Sequence, residues 1–323
     1  MQNLFLCLLP ILLWLLIICI IKFMAFVIIL TGGNSSEREI CFRSGAAIQK
    51  ALLNLGHQVK MIDYNDSIEE YKDELVKADV VIPALHGKGG EDGTLQAMLE
   101  PLGVCFVGSD SVSSALCMDK WRYKQHIINE ILTPDGEIVD KKSIWNSIFV
   151  KKPFVIKPND GGSSIDTFIV KDIKNIDRQK IEEAFSRNPQ MLIEELISGI
   201  EITVGVLGDK ALPVIEIIPP TDGEFDYENK YNGMTQELCP PNNVSIQNQE
   251  KAQSIALKTH QFCGCRDLSR TDMIVTPTDK IYVIETNTFP GMTDQSLFPK
   301  EAAVAGIPWN DLVKRLIEMA MKR

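Results

Sequence analysis

The sequence predicts an α/β protein whose amino-terminal part carries a parallel sheet. From Met24 onward, short runs of β-branched residues alternate with helical stretches, which is typical of parallel strands joined by crossover helices. The composition, 45% hydrophobic and 24% charged, is close to that of an average soluble globular protein. The 323 residues suffice for two or three domains. These observations exclude a disordered chain, a collagen and a coiled coil.

The elements follow in order along the chain. In the amino-terminal part we predict strands at 25–30, 59–63, 80–84 and 104–107, with helices at 37–55, 67–77 and 94–101. The middle part predicts a helix at 113–129 and strands at 154–158 and 191–195. The last third predicts strands at 201–207 and 214–218, a polar loop at 219–243, a helix at 249–263, a hairpin of 272–275 and 281–285, and a terminal helix from about 310.

Charge and cysteine content narrow the class of protein. The formal net charge is −10, whereas a protein that binds duplex nucleic acid needs a cationic surface. A nucleotide bound with metal ions in a small pocket remains compatible with this charge. The 8 cysteines have no regular spacing, so we predict reduced thiols in a cytosolic protein rather than a disulfide framework.

The segment 1–23 is an apolar leader. Residues 4–21 carry no charge and are followed by Lys22. The length of this uncharged segment is close to that of a membrane-spanning helix. The cationic start and the cleavage site of a signal peptide are both lacking. Cations follow the segment, so an inserted helix would leave the rest of the chain in the cytoplasm. We favour a second interpretation, a start codon assigned too early, because Met24 directly precedes a strand. Both interpretations predict a cytoplasmic body, in one case tethered to the inner face of the membrane.

A glycine- and serine-rich turn follows the strand at 154–158. The backbone N–H groups of such a turn can surround an anion, and Lys157 adds a positive charge. The pattern of a P-loop is absent. A plain surface loop is the alternative.

Two strands of the predicted hairpin carry polar residues at matching positions. Asp272 and Glu285 lie opposite each other, and Asn287 is two residues farther along, on the same face as Glu285. Three oxygen ligands of this kind suit Mg²⁺, although polar hairpin ends are an equally good explanation of the spacing alone. Glu194, Glu195 and Glu201 offer carboxylates for an adenine amine and ribose hydroxyls, or they are surface charges.

Several longer strings together resemble one family, the D-alanine–D-alanine ligases of the ATP-grasp superfamily. The resemblance extends from Met24 to the carboxyl terminus, and nothing in the leader takes part in it. The strings are Gly32-Gly-Asn-Ser-Ser-Glu37, His86-Gly-Lys-Gly-Gly-Glu-Asp-Gly93, Ser114-Ala-Leu-Cys-Met-Asp-Lys120, Lys157-Pro with Gly162-Ser-Ser164, Phe225-Asp-Tyr-Glu-Asn-Lys-Tyr231, Glu285-Thr-Asn-Thr-Phe-Pro-Gly-Met-Thr293 and Ser296-Leu-Phe-Pro.

The resemblance implies a domain organisation. An amino-terminal α/β (pre-ATP-grasp) domain at 24–118 would precede a two-part ATP-grasp fold. Its central subdomain would be 119–196 and its carboxyl-terminal subdomain 197–323, with a lid loop at about 219–243. The lid would close over the phosphates and exclude water.

The resemblance also implies an activity. A member of this family transfers the γ-phosphoryl group of ATP to one D-alanine and condenses the acyl phosphate with a second D-alanine, for peptidoglycan precursor synthesis. The implied nucleotide and metal residues are Lys120, Lys157 and Lys230 for the phosphates, Glu194 and Glu195 for adenine, Glu201 for ribose, and Asp272, Glu285 and Asn287 for two Mg²⁺ or Mn²⁺ ions.

The amino-acid side of the implied site uses a second group of residues. Glu37 would hold the ammonium of the first D-alanine, with His86 behind it. A Glu–Ser–Tyr hydrogen-bonded chain, Arg270 and Gly291 as oxyanion stabilisers, and a clamp on the second D-alanine complete the set: Glu37, Ser163, Tyr231, Arg270, Gly291, Ser296 and Leu297. The resemblance further implies a homodimer.

One position departs from the family pattern. Asp166 replaces the last glycine of Gly-Ser-Ser-x-Gly, and we expect its side chain to point away from the phosphates.

Two other functions remain open. A ligase that joins D-alanine to D-lactate is one alternative, and Lys230-Tyr231 argues against it. A membrane-tethered nucleotide-binding protein with little chemistry is the other, and the complete set of Arg270, Asp272, Glu285 and Asn287 argues against it.

Overall fold

The structure, a computed structural model, describes residues 24–65, 67–219, 235–293 and 295–323. The predicted leader and most of the predicted lid, including Lys230 and Tyr231, lie outside these residues. The strands are β1 (Phe26–Gly32), β2 (Gln58–Tyr64), β3 (Val80–Pro83), β4 (Gly136–Val139), β5 (Phe154–Pro158), β6 (Phe168–Val170), β7 (Met191–Glu195), β8 (Ile200–Leu207), β9 (Lys210–Ala211), β10 (Ile215–Ile218), β11 (Gln236–Leu238), β12 (Leu268–Val275) and β13 (Ile281–Asn287).

The helices cover the sheets and connect them. They are α1 (Arg38–Leu55), α2 (Lys72–Leu75), α3 (Thr94–Leu99), α4 (Ser111–Met118), α5 (Lys120–Ile127), α6 (Arg178–Ala184), α7 (Ile246–Phe262), α8 (Leu297–Val304) and α9 (Trp309–Met321). Short 3₁₀ turns accompany them at Glu69–Tyr71, Glu100–Leu102, Ile144–Asn146, Ile148–Lys151 and Ile173–Asn175.

The amino-terminal sheet is parallel, as the sequence predicts. Its strand order is β2-β1-β3, and β1 is buried along almost its whole length. Two predicted elements were wrong. The segment 104–107 forms only a single bridge, from Phe106 to Val81. The predicted helix at 67–77 reduces to the turn Glu69–Tyr71 and the single helical turn α2.

Two antiparallel sheets follow. One has the order β4-β7-β5-β6, and the other has the order β11-β10-β8-β12-β13 with β9 beside β8. The helix predicted at 113–129 is two helices that meet at Asp119. Its carboxylate accepts a hydrogen bond from the Arg122 N–H (3.0 Å), which caps the amino terminus of α5. The break therefore has a local cause, a capping aspartate.

The hairpin of β12 and β13 contains a bulge beside Asp272. Asp272 pairs with Glu285, whereas Met273 pairs with Val283, so Ile284 is the extra residue. Without the bulge, Glu285 and Val283 would share a face, because side chains two apart on a strand do so. The bulge allows Val283 to face the core while Glu285 faces the cleft.

The last helix of the chain packs on the first part. Leu312 and Leu316 of α9 share one apolar core with Val27 and Ile29 of β1 and with Leu52 of α1. Within the part of the chain that the structure describes, no helix is both long and apolar enough to cross a membrane.

Candidate active site

Two adjoining cavities lie where the sheets face each other. The larger, about 740 Å³, is bounded by α1, the segment after β13 and the start of α8. The smaller, about 180 Å³, lies between the two antiparallel sheets. Residues common to both walls mark the junction: Lys120, Gly161, Gly162, Ser163 and Glu285. All the predicted site residues within the described ranges line one or both cavities.

A buried carboxylate in the smaller cavity is held by two lysines. Glu194 is 2% exposed and accepts from Lys124 Nζ (2.6 Å) and Lys157 Nζ (2.6 Å). Burial alone would raise the pKa of Glu194, but the two ammonium groups hold that pKa below its usual value. Burial lowers the pKa of Lys124 despite this pairing, whereas the pKa of Lys157 is raised because Glu194 and Glu285 outweigh its burial.

Lys120 connects the two cavities. It begins α5, and its ammonium donates to the Gly161 carbonyl (2.7 Å) and lies 3.2 Å from Glu285. The side chain is largely buried. This places a fixed positive charge against the glycine- and serine-rich turn, where an anion would bind.

The hairpin aligns Arg270, Asp272, Glu285 and Asn287 on the cleft. Arg270 Nε and Nη2 each donate to the Asp272 carboxylate at 3.0 Å, and Asp272 also accepts from Thr203 Oγ1 at 2.6 Å. Burial alone would lower the pKa of Arg270, but the carboxylate of Asp272 raises that pKa above its usual value. Arg270 thus stays charged although its side chain is largely buried.

The predicted metal ligands fit a hard cation. Asp272 and Glu285 are direct partners across the two strands, and Asn287 faces the same side as Glu285. Two carboxylates and an amide oxygen are the donors that Mg²⁺ or Mn²⁺ takes. The described side chains include no group of three or more His, Cys, Asp or Glu residues that could hold a metal ion, and the predicted set consists of two carboxylates and one amide. Arg270 and Lys120 compensate the two carboxylates.

A contact between Glu37 and Ser163 joins the first sheet to the second. Ser163 Oγ donates to Glu37 Oε1. Ser163 and Ser164 both have left-handed backbone, with φ of 51° and 57°, so the loop turns sharply toward α1. Two members of the predicted Glu–Ser–Tyr chain are therefore in contact, and the third, Tyr231, lies outside the described residues.

His86 and Glu91 close the amino-terminal wall of the larger cavity. Burial lowers the pKa of His86 to about 4, so its ring is neutral near pH 7. Burial and the nearby Glu37 raise the pKa of Glu91 to about 8, and Glu91 accepts from the Gly87 N–H at 2.7 Å. Glu91 was not among the predicted site residues, although it lies within the string that begins at His86.

The opposite wall carries Gly291, Ser296 and Leu297. Ser296 Oγ accepts from the Thr293 N–H (3.1 Å) and bonds with Thr293 Oγ1 (2.8 Å). A Cβ on Gly291 would lie 2.9 Å from Ser296 Oγ, so the backbone approaches that side chain closely. Leu297 begins α8 and is almost buried.

The remaining predicted contacts lie at the rim. Glu195 accepts from the Asp135 N–H (3.2 Å) and pairs with Lys152 (3.1 Å), and Glu201 lines the smaller cavity. Lys124 was missed. A signal for it existed, because Lys124 lies four residues after Lys120 and so on the same face of α5.

Asp166 points away from the cleft, as expected. Its φ is 55°, and its carboxylate accepts from Arg187 Nε (3.0 Å), Arg187 Nη2 (2.6 Å) and Asn188 Nδ2 (2.7 Å). The hydrogen bonds from Arg187 hold the pKa of Asp166 below its usual value, against its partial burial. The aspartate therefore keeps the turn that glycine would permit and adds an anchor for the loop.

A parallel α/β unit followed by two antiparallel sheets, with lysines and carboxylates in the cleft between them, defines an ATP-grasp protein. Within that class the chain belongs to the D-alanine–D-alanine ligase family. The family's sequence models match at residues 63–109 ("D-ala D-ala ligase N-terminus") and 132–318 ("D-ala D-ala ligase C-terminus").

Individual relatives agree with the family assignment. A D-alanine–D-alanine ligase of Syntrophobacter fumaroxidans is 41% identical over 308 residues, covering 92% of this chain and 97% of the relative. The structure of the Bacillus anthracis D-alanine–D-alanine ligase complexed with ATP matches with a TM-score of 0.78 and 32% identity, covering 92% and 98%. The VanG D-Ala:D-Ser ligase of Enterococcus faecalis matches with a TM-score of 0.77 and 28% identity, covering 92% and 99%.

Proposed function

We propose that this chain is an ATP-dependent D-alanine–D-alanine ligase that supplies the dipeptide for peptidoglycan precursors. The observation that carries the proposal is the composition of the larger cavity. It sets the carboxylate of Glu37 on one wall and the guanidinium of Arg270 on another, and it opens into the cavity of Lys120 and Lys157. An amino acid offers one ammonium and one carboxylate, which these two charges complement.

The first step makes the carboxylate reactive. A carboxylate oxygen of the first D-alanine attacks the γ-phosphorus of ATP, and ADP leaves, which gives an acyl phosphate. Such a transfer depends on positioning and on charge neutralisation. Lys120, Lys157 and Lys230 supply positive charge to the phosphates, while Glu194, Glu195 and Glu201 hold the adenine and the ribose.

The second step forms the peptide bond. The neutral amine of the second D-alanine attacks the acyl carbon, the tetrahedral intermediate expels phosphate, and the proton lost by the nitrogen passes to solvent or to the departing phosphate. The guanidinium of Arg270 and the Gly291 N–H stabilise the negative oxygen of that intermediate. Ser296 and Leu297 hold the second D-alanine, and Glu37, Ser163 and Tyr231 hold the first one, with His86 behind Glu37.

Two Mg²⁺ or Mn²⁺ ions complete the proposed site, held by Asp272, Glu285 and Asn287. When bound, they supply charge neutralisation at the phosphates. Arg270 pairs with Asp272 and Lys120 pairs with Glu285, so both cations lie beside the carboxylates that would hold the ions.

The identity of the second substrate is the finer question. One structural neighbour is named a D-Ala:D-Ser ligase, so this fold accommodates more than one second substrate. We propose D-alanine, because Lys230-Tyr231 in the lid matches the dipeptide-forming members of the family. Serine and lactate are the alternatives to test.

Phosphate release from ATP tests the proposal. The purified protein is assayed with D-alanine alone, with L-alanine alone, and with D-alanine plus D-lactate or D-serine, and products are identified by mass spectrometry. We expect D-alanyl-D-alanine and one phosphate per dipeptide. The absence of turnover that depends on D-alanine would refute the proposal, and depsipeptide as the main product would favour the lactate alternative.

Assembly and location are also proposals. We propose a homodimer in the cytoplasm, with a membrane tether only if residues 4–21 insert. Deletion of residues 1–23 is expected to leave the activity intact, because Glu37 is the first of the proposed site residues along the chain. Light scattering on the deleted protein gives its mass. Loss of activity on deletion, with activity retained by the full chain in detergent, would instead support the tether.

A further inference from the structure

A buried serine links helix α1 to the active-site wall. Ser44 is 0% exposed, and its Oγ lies 3.0 Å from Nε2 of His86, which is itself 6% exposed. The neighbouring residue, Gly45, packs tightly on β1, since a Cβ there would lie 3.0 Å from Thr31 Oγ1. Ser44 therefore has little freedom to shift.

The partners of His86 fix the direction of each hydrogen bond. The Phe289 backbone is the second partner of the ring, and a proton on Nδ1 directed at its carbonyl would satisfy this contact while Nε2 meets Ser44. The pKa of His86, lowered to about 4 by burial, keeps the ring neutral, which leaves Nε2 as an acceptor. Ser44 must then donate its hydroxyl hydrogen to His86.

Ser44 Oγ also accepts a hydrogen bond from the segment after β13. The Met292 N–H donates to Ser44 Oγ at 3.4 Å, across 248 residues of sequence. Phe289 and Met292 are both buried. The backbone between them is thus held at both ends, at Phe289 by His86 and at Met292 by Ser44, and Gly291 lies within this span.

We propose that Ser44 is a positioning residue of the ligase reaction, which acts with His86 to hold the backbone 289–292 and hence the N–H of Gly291 where the oxyanion develops. The inference depends on the proposed function for its role in catalysis. Its physical basis does not, because the restraint of this backbone is measurable without substrate. Misplacement of a catalytic group by about 1 Å can cost about a hundredfold in rate.

The variant Ser44→Ala removes the restraint and keeps the fold's packing. We expect kcat to fall roughly 10- to 30-fold with the KM for ATP within about twofold, because the nucleotide lies in the other cavity. Hydrogen exchange of the peptide that contains residues 289–293 is expected to accelerate in the same variant. Ser44→Thr, which retains the hydroxyl, is expected to restore most of the protection.

A matched control exists at Ser109. That serine is 3% exposed, and its hydroxyl likewise accepts a backbone N–H from a distant segment, that of Arg266 at 3.1 Å, but it lines neither cavity. Ser109→Ala is expected to lower thermal stability while kcat and the exchange of residues 289–293 stay as in the wild type. Equal losses of kcat in the two variants would reduce Ser44 to a structural role and overturn the inference.

A double-mutant cycle tests whether Ser44 and His86 act as one unit. His86→Asn retains a donor near Nδ1 for Phe289 but removes the acceptor for Ser44. We expect Ser44→Ala to cost less than threefold in kcat in that background. If the losses multiply, the two residues act independently and the inference fails. Normal hydrogen exchange at residues 289–293 in Ser44→Ala also overturns the inference, even if the wild type makes no dipeptide. A wild type that lacks turnover refutes only the proposed function.

Discussion

Asp166 and Arg187 form a bidentate ion pair that anchors the glycine- and serine-rich loop on the side away from the cleft. The guanidinium is exposed, whereas the carboxylate is only 12% exposed and takes a third hydrogen bond from Asn188. The pair lies on the side of the loop that faces away from the cleft. The aspartate in place of the family's glycine thus anchors the loop that would bind the phosphates.

Asp166→Gly is expected to change the KM for ATP by less than about tenfold, or roughly 1.4 kcal/mol. The change should be an increase, because glycine loosens the loop and no repulsion is relieved. Arg187→Met should act in the same direction without altering the loop's backbone, as steady-state kinetics at varied ATP will show. A drop of more than tenfold in the KM of the glycine variant would mean that Asp166 faces the phosphates.

Lys124→Met is expected to destabilise the protein by about 3 kcal/mol, because it leaves buried Glu194 with one ammonium instead of two. The KM for ATP should rise as well, since Glu194 would draw Lys157 more strongly. Lys152→Met provides the control, because its pair with Glu195 is half exposed and contributes less than about 1 kcal/mol. Denaturant unfolding compares the two, and similar losses would argue against a special role for Lys124.

Tyr231→Phe is expected to loosen the choice of second substrate. In the proposed Glu–Ser–Tyr chain the hydroxyl of Tyr231 would bond to Ser163, which already contacts Glu37. Ser163→Ala interrupts the same chain from its other end and should have the same effect. The measurement is the ratio of kcat/KM for D-lactate to that for D-alanine near neutral pH. An unchanged ratio in both variants would remove the coupling from the mechanism.

His260 makes stability depend on pH. Burial lowers its pKa to about 4, and its Nδ1 lies 2.7 Å from Ser269 Oγ. As pH falls from about 6.5 to about 4, the unfolded chain binds a proton at this histidine and the folded chain does not, so the free energy of unfolding decreases. Between pH 7 and pH 5, the wild type should lose about 2 kcal/mol more than His260→Gln.

Urea titrations at the two pH values check the effect of His260. The buried His86 contributes a slope of the same sign, and Glu91, with a pKa raised to about 8, contributes the opposite slope above about pH 4.5. Both residues are present in the wild type and in the variant, so the difference between the two isolates His260. Parallel losses would show that His260 titrates normally in the folded protein.

The sequence predicts the hairpin of Asp272 and Glu285 well because local spacing determines its register. Matching positions on two strands place Asp272 opposite Glu285, and the structure confirms this register. The bulge at Ile284 could not be predicted in the same way. Only the folded sheet shows that Val283 is buried in the core while Glu285 faces the cleft. Pattern alone assigns one face to both residues.

Other features depend on tertiary contacts that a linear pattern does not carry. A lysine on a helix is ordinarily exposed, so the spacing from Lys120 indicated the face on which Lys124 lies but not its burial against Glu194. The strands β4 and β6 were missed because they are only 4 and 3 residues long. The pairing of Asp166 with Arg187 joins a loop to the segment after α6, and nothing in their spacing indicates it.

The placement of α9 has a consequence for biosynthesis. Leu312 and Leu316 cover an apolar surface formed by residues that emerge from the ribosome near the beginning of synthesis. At about 5–20 residues per second, roughly 10 to 50 s pass between the synthesis of that surface and the synthesis of α9. Any nascent chain that stalls before α9 would therefore expose the apolar surface of β1 and α1 to solvent.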